Sequence, residues 1–313
     1  MVEAAAEHLA GYQARDYEVV DYQLYELDGT ELTFRGPPAA TAEGKYVACL
    51  GAAQTFGCFV EQPYPKLLES ELRVPTLNLG YGGAGPRFYN RHPEVLDIIN
   101  RGRLAIVQVM SGRSEDNSKF ESKGLEVLTR RSDGRSMSAD AAWRSILELR
   151  YAWKKMPLGR ALARSVCRRV GASHARKLLR ETRENWISSY CQLLKSIEVP
   201  TVLFWFSKRT PDFEDSYEDL HRLMGIYPQL VTRNMVEAIR PYADFYVECS
   251  TQKGSPQPLR SRFDGSAVEV DLGRDRADFA GQTWKENRYY PSPEMHEDAA
   301  AALSRTLRQI LDA

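Results

Sequence analysis

Five short, nearly uninterrupted apolar runs constrain this chain more than any other feature: Tyr46–Leu50, Thr76–Leu79, Leu104–Met110, Thr201–Phe206 and Asp244–Glu248. Runs of this length without polar alternation read as parallel strands buried on both faces. Helical patterns separate them, at Tyr64–Leu72, His92–Arg101, Ala139–Met156, Leu158–Val170, Ser173–Ile197 and Thr232–Tyr242. A last helix runs from about Pro293 to Leu311, with Ser292 as N-cap and proline in its first turn. The order βαβαβ(ααα)βαβ…α predicts a doubly wound, three-layer α/β/α fold with a mostly parallel sheet. Residues 1–44 read as an N-terminal extension packing on the core, and 45–313 as the α/β domain. Within that domain, 139–198 reads as a helical insertion serving as cap or interaction arm. Ser111–Ser138 is polar and Gly/Ser-rich, the pattern of a long functional loop or lid. Thr251–Pro291 reads as a hairpin with a flanking loop.

Composition removes several function classes. Lys+Arg and Asp+Glu balance at 42 each, which argues against a dedicated nucleic-acid binder. The cysteines (Cys49, Cys58, Cys167, Cys191, Cys249) show no CxxC spacing, so reduced thiols are expected rather than disulfides or a metal site. Met1–Arg15 has no apolar core of a signal peptide. No stretch approaches the roughly 18 apolar residues of a membrane span. A cytoplasmic protein is the expectation.

In a doubly wound sheet, ligands bind at the carboxyl ends of the strands. Three strand ends should converge there: Gly51–Gly57, Asn78–Gly85 (N-L-G-Y-G-G-A-G) and Met110–Asn117 (M-S-G-R-S-E-D-N). Late in the chain, His296 falls in the first turn of the last helix. Gly80-x-Gly82-x-x-Gly85 has the form of a dinucleotide fingerprint, but it follows the second strand, and the third ends without Asp or Glu. Backbone N–H groups cradling a ligand oxygen fit this loop better.

These blocks resemble the SGNH (GDSL-like) hydrolase superfamily. There G-D-S-x-T-x-G carries the serine, a glycine and an asparagine complete the oxyanion hole, and a late D-x-x-H supplies the base. Here Gly51, Thr55 and Gly57 match the first block, while Ala52 and Ala53 replace its Asp and Ser. Gly80 or Gly82 matches the second block and Ser114 falls near the third block's asparagine. His296 matches the base, with Pro293 in place of the Asp. Phe34-Arg-Gly-Pro37, Gln54-Thr-Phe-Gly57, Val107-Gln-Val-Met110, Leu203-Phe-Trp-Phe206 and the Pro293–Ala300 helix start resemble an uncharacterised bacterial family of unknown function. That resemblance implies the fold and a setting near polysaccharide genes, and no reaction.

Alanine offers no nucleophile, so a serine esterase is not expected. Thr55 and Cys58 are the nearest substitutes; both also read as local, the threonine bonding backbone and the cysteine buried and inert. Gln54 either orients a ligand or is a polar turn residue. His296, favoured in its neutral form by the helix macrodipole, is the candidate base, with an exposed polar residue as the alternative. Gly51, Asn78, Gly80, Gly82 and Ser114 are the candidate oxyanion contacts. Arg150–Arg180 holds ten Lys/Arg and no acid, with Arg160, Arg164 and Arg168 in one stripe, an anion-binding candidate. Its expected partner is a phosphorylated donor such as coenzyme A or a phosphoadenylate, an anionic glycan, a membrane surface, or a second subunit or protein. Together these predict a group-transfer enzyme, acyl or sulfuryl, acting on a carbohydrate hydroxyl. The alternatives are a non-catalytic binding protein or an atypical hydrolase using Thr55 or Cys58.

Overall fold

The expected strands become β1 (Val47–Gly51), β2 (Thr76–Gly80), β3 (Leu104–Gln108), β4 (Thr201–Ser207) and β5 (Phe245–Ser250). A computed structural model describes residues 11–148, 160–214, 216, 219–274 and 280–311, without the side chains of 160–170, 172 and 274. The five strands form one parallel sheet in the order β2-β1-β3-β4-β5. This is a doubly wound α/β arrangement, with its switch point between β1 and β3.

Alternate residues on each strand face opposite helical layers. Leu50, Leu79, Val107 and Trp205 pack against α3 (Pro86–Asn90), α4 (Pro93–Asn100), α6 (Arg160–Ser196) and α7 (Arg233–Ile239). Cys49, Ile106, Phe204 and Val247 pack against α2 (Tyr64–Leu72) and α8 (Pro293–Leu311). Each fully buried Leu, Ile or Phe contributes about 1.5–3 kcal/mol, so both faces of the sheet are firmly covered. α8 starts where the sequence puts it: Ser292 Oγ accepts from the Met295 amide at 3.3 Å.

Three expectations change. Leu158–Val170 and Ser173–Ile197 are not separate helices but one, α6, because Gly171 costs a helix interior only about 1 kcal/mol and does not break it. The end of α6, with buried Trp186, Tyr190 and Leu193, is the crossover between β3 and β4. Ser111–Ser138 is not an open lid: it holds a 3-10 turn, Gly112–Ser114, and a three-stranded antiparallel meander of Phe120–Ser122, Val127–Arg130 and Ser136–Ser138. Thr251–Pro291 forms two short antiparallel pairings, Gln257–Pro258 with Glu286–Asn287 and Val270–Asp271 with Thr283–Trp284. The expected Ala139–Met156 helix is α5, Ala139–Glu148; its remainder lies outside the described residues.

Candidate functional site

A double cleft opens over the carboxyl edge of the sheet. One chamber, of about 240 Å3, is floored by Ala52 and Ala53 and walled by Tyr227, Trp284, Tyr289 and Tyr290. The other, of about 400 Å3, has an apolar lining that includes Phe206, Met224, Ile226 and Met295. They share Gln54, Arg113, Asp140, Tyr227 and Tyr289, so they are two lobes of one site.

Arg113 organises the shared wall. The 3-10 turn after β3 presents it, with Ser111 Oγ accepting from its amide at 3.2 Å. Its guanidinium is buried and donates to Glu126 at 2.8 and 2.6 Å and to Asp140 at 2.9 Å. These carboxylates hold it charged, raising its pKa against the opposing effect of burial. A further bond runs from Arg113 to the Tyr289 hydroxyl at 3.1 Å, which also accepts from Gln229 Nε2 at 3.0 Å. With both lone pairs engaged, the Tyr289 hydroxyl must direct its own proton elsewhere. Burial raises the Tyr289 pKa, so that proton is retained. Nearby, Gln54 Oε1 and Gln229 Oε1 are buried without a hydrogen-bond partner.

The rim of the larger lobe is held by Arg209. Its guanidinium donates to the carbonyls of Thr210, Ile226, Pro228 and Val231 and stacks on Trp205 and Phe213. Burial without a carboxylate pushes it down to about 10.

Of the expected site residues whose side chains are described, only Gln54 lines the cleft. His296 is fully buried beneath it, stacked on Tyr64 and edge-on to Phe206. Its Nδ1 accepts the Tyr64 amide at 3.0 Å, so Nε2 carries the ring proton, and neither nitrogen offers a lone pair to the cleft. Burial, with a smaller contribution from Arg35, lowers its pKa to about 3. A base at 296 therefore gives way to a neutral core histidine. Tyr289 and Tyr290, just before α8, line the lobe floored by the alanines instead.

Thr55 and Cys58 are also fully buried and line neither lobe. Thr55 Oγ1 donates to Gln108 Oε1 at 2.8 Å and lies 3.0 Å from the Tyr64 hydroxyl. The expected oxyanion set serves close packing. A Cβ on Gly51 would lie 2.0 Å from Thr55 Oγ1, and one on Gly80 would lie 2.2 Å from the Phe56 amide. Gly82 is covered by the Tyr12 ring, and Ser114 Oγ packs against Gly85. Asn78 donates to the Thr55 carbonyl and accepts from the Gly80 amide, tying β2 to the short helix α1 (Ala53–Phe56). The side chains of Arg160, Arg164 and Arg168 lie outside the described residues. Sequence reasoning missed Arg113, Tyr289 and Tyr290. Arg113 sits in the third strand-end loop it had singled out, and Tyr289-Tyr290 mark the turn into the last helix.

Among the described residues, no group of His, Cys, Asp and Glu is placed to hold a metal ion, and no helix is long and apolar enough to cross a membrane. The chain belongs to the family described as Domain of unknown function (DUF6473), which matches residues 11–311. No curated protein is similar to it in sequence. Similar solved structures include a carbohydrate esterase family 2 enzyme with a carbohydrate binding domain from Corynascus thermopiles (Myceliophthora fergusii). It is 11% identical, with a TM-score of 0.36, over 90% of this chain and 71% of that one. An acetylxylan esterase from Geobacillus stearothermophilus is 12% identical, with a TM-score of 0.36, over 86% and 95%. An alpha/beta hydrolase from the metagenome of Lake Arreo, Spain, is 12% identical, with a TM-score of 0.38, over 86% and 97%.

Proposed function

We propose that this member of the family binds a small, hydroxyl-rich ligand of the sugar type in the double cleft, without serine-type hydrolysis. The observation that carries this reading is the unspent hydrogen-bonding capacity of the shared wall and of Gln229 beside it in the larger lobe. Tyr289 has a proton to donate, and Gln54 Oε1 and Gln229 Oε1 are acceptors without donors. A sugar hydroxyl donates and accepts at once, and so satisfies such a set. The flat walls of Tyr227, Trp284 and Tyr290 suit the apolar faces of a sugar ring.

Ala52 and Ala53 on the floor, and His296 sealed below it, count against the expected acyl or sulfuryl transfer and against an atypical hydrolase. Isothermal titration with neutral and acidic mono- and disaccharides tests the reading. Binding in the micromolar to millimolar range is expected, weakened about tenfold in Tyr289→Phe, the equivalent of about 1.4 kcal/mol. No binding by any sugar, an unaffected Tyr289→Phe variant, or release of acetate from acetylated sugars would each overturn it.

A further inference from the structure

Among the described residues, the lining of the larger lobe carries more positive than negative charge. Its charged lining comprises Arg113, Asp140, Arg144, Lys208, His221 and Arg288. Asp140, the one carboxylate among them, is already bound by Arg113. Arg288 pairs with Glu286, and both are exposed. Lys208 follows the last residue of β4, at the strand end where a doubly wound sheet presents its ligand groups.

The Lys208 ammonium is positioned rather than free. It donates to Ser255 Oγ at 2.8 Å and to the Arg288 carbonyl at 2.7 Å. Both partners are neutral, and no salt bridge to Lys208 occurs among the described residues. An ammonium has three N–H donors, so one remains for a ligand. The apolar walls of Phe206, Ile226 and Met295 strengthen any charge interaction made there.

We propose that the larger lobe is an anion subsite centred on Lys208, and that the sugar taken by the cleft carries an acidic group, a carboxylate or a phosphate. This rests on the sugar-binding reading and specifies its ligand. The acidic substituent meets Lys208 while the ring lies across the Gln54–Tyr289 wall. Burial independently pushes Lys208 down to about 8, as expected of a cation awaiting a counter-ion.

Titration calorimetry of the full chain with a hexuronate, a hexose 6-phosphate and the neutral hexose tests the assignment. At pH 7 at least one acidic sugar should bind tenfold or more tighter than the neutral one, and the tighter of the two identifies the group. Lys208→Met should bring that ratio close to one, while Lys208→Arg keeps it. Raising the pH from 7 to 9 deprotonates free Lys208 and should erode the preference in the wild type but not in Lys208→Arg. The other charged or titratable side chains lining this lobe are Arg113, Asp140, Arg144, His221 and Arg288, and Lys208→Arg keeps all of them, so it separates their contribution from that of Lys208. The buried tyrosines Tyr227 and Tyr289 keep their protons. Neutral sugars binding as tightly as acidic ones, or an undiminished preference in Lys208→Met, would overturn the anion subsite while leaving sugar binding intact. No binding by any sugar would remove both readings.

Discussion

The cleft and the polar network directly beneath it invert the usual relation between residue type and role. Beneath the floor lie the groups most often associated with catalysis: a histidine, a threonine hydroxyl and a tyrosine hydroxyl, with Gln108 between them. Each is fully buried, and their bonds fasten α1, α2, β3 and α8 together. Above the floor lie alanines, aromatic rings, two amides and a buried arginine tied to two carboxylates. The contrast teaches that reactive groups lose their chemistry when their lone pairs are taken up by the fold. Recognition then falls to the groups with unspent capacity that line the cleft; His296 Nε2 and Gln108 Nε2 also lack a partner, but those residues line neither lobe.

Three variants break or sharpen this contrast. The largest effect should come from Arg113→Met, which leaves Glu126 and Asp140 without their buried cation. Glu126 and Asp140 keep partial access to water, so the loss should fall below the ~3–5 kcal/mol of a fully buried pair, at about 2–3 kcal/mol by urea denaturation. A loss below about 1 kcal/mol would mean the shared wall is not held electrostatically. Next is His296→Phe. The folded pKa of His296 lies far below the unfolded value of about 6.5, so the unfolded chain takes up the proton first as pH falls. The stability that His296 contributes is present above pH 6.5 and is lost progressively towards pH 3. Between pH 7 and 5 this amounts to about 2 kcal/mol. The variant loses the acceptor of the Tyr64 amide and is less stable at pH 7, but its stability curve should be flatter by that amount. An unchanged slope would place His296 in contact with water, and with the cleft. The smallest effect is expected from Ala53→Ser. The hydroxyl enters the floor of the smaller lobe at a stability change below about 1 kcal/mol. No histidine lines that lobe among the described residues, so p-nitrophenyl acetate turnover should stay at background. Measurable turnover would show that a base does reach the floor.

Much of the fold was legible because strands buried on both faces cannot hide their pattern. Val47–Gly51 and Leu104–Gln108 lie within one or two residues of the runs that announced them. The 120–138 meander escaped notice because its strands are three or four residues long, too short for a period to register. The junction in α6 was misread because glycine in a helix signals a cost and not a stop. For the site, strand ends were the right places to look, and Gln54 followed from that. Arg113 did not, since its meaning depends on Glu126 and Asp140, which join it only through the meander and the start of α5. Tyr289 and Tyr290 resemble core aromatics in sequence. Only the path from Asn287 into α8 sets them over the alanines.

Arg209 adds a consequence for how a ligand would be greeted. By clamping four carbonyls, one guanidinium sets the shape of the 226–231 rim before anything arrives. Shape set in advance spares a ligand the entropy of ordering a loop, which for mobile rims subtracts directly from affinity. Recognition on such a rigid rim should therefore discriminate by fit and differ little between the empty and occupied backbone.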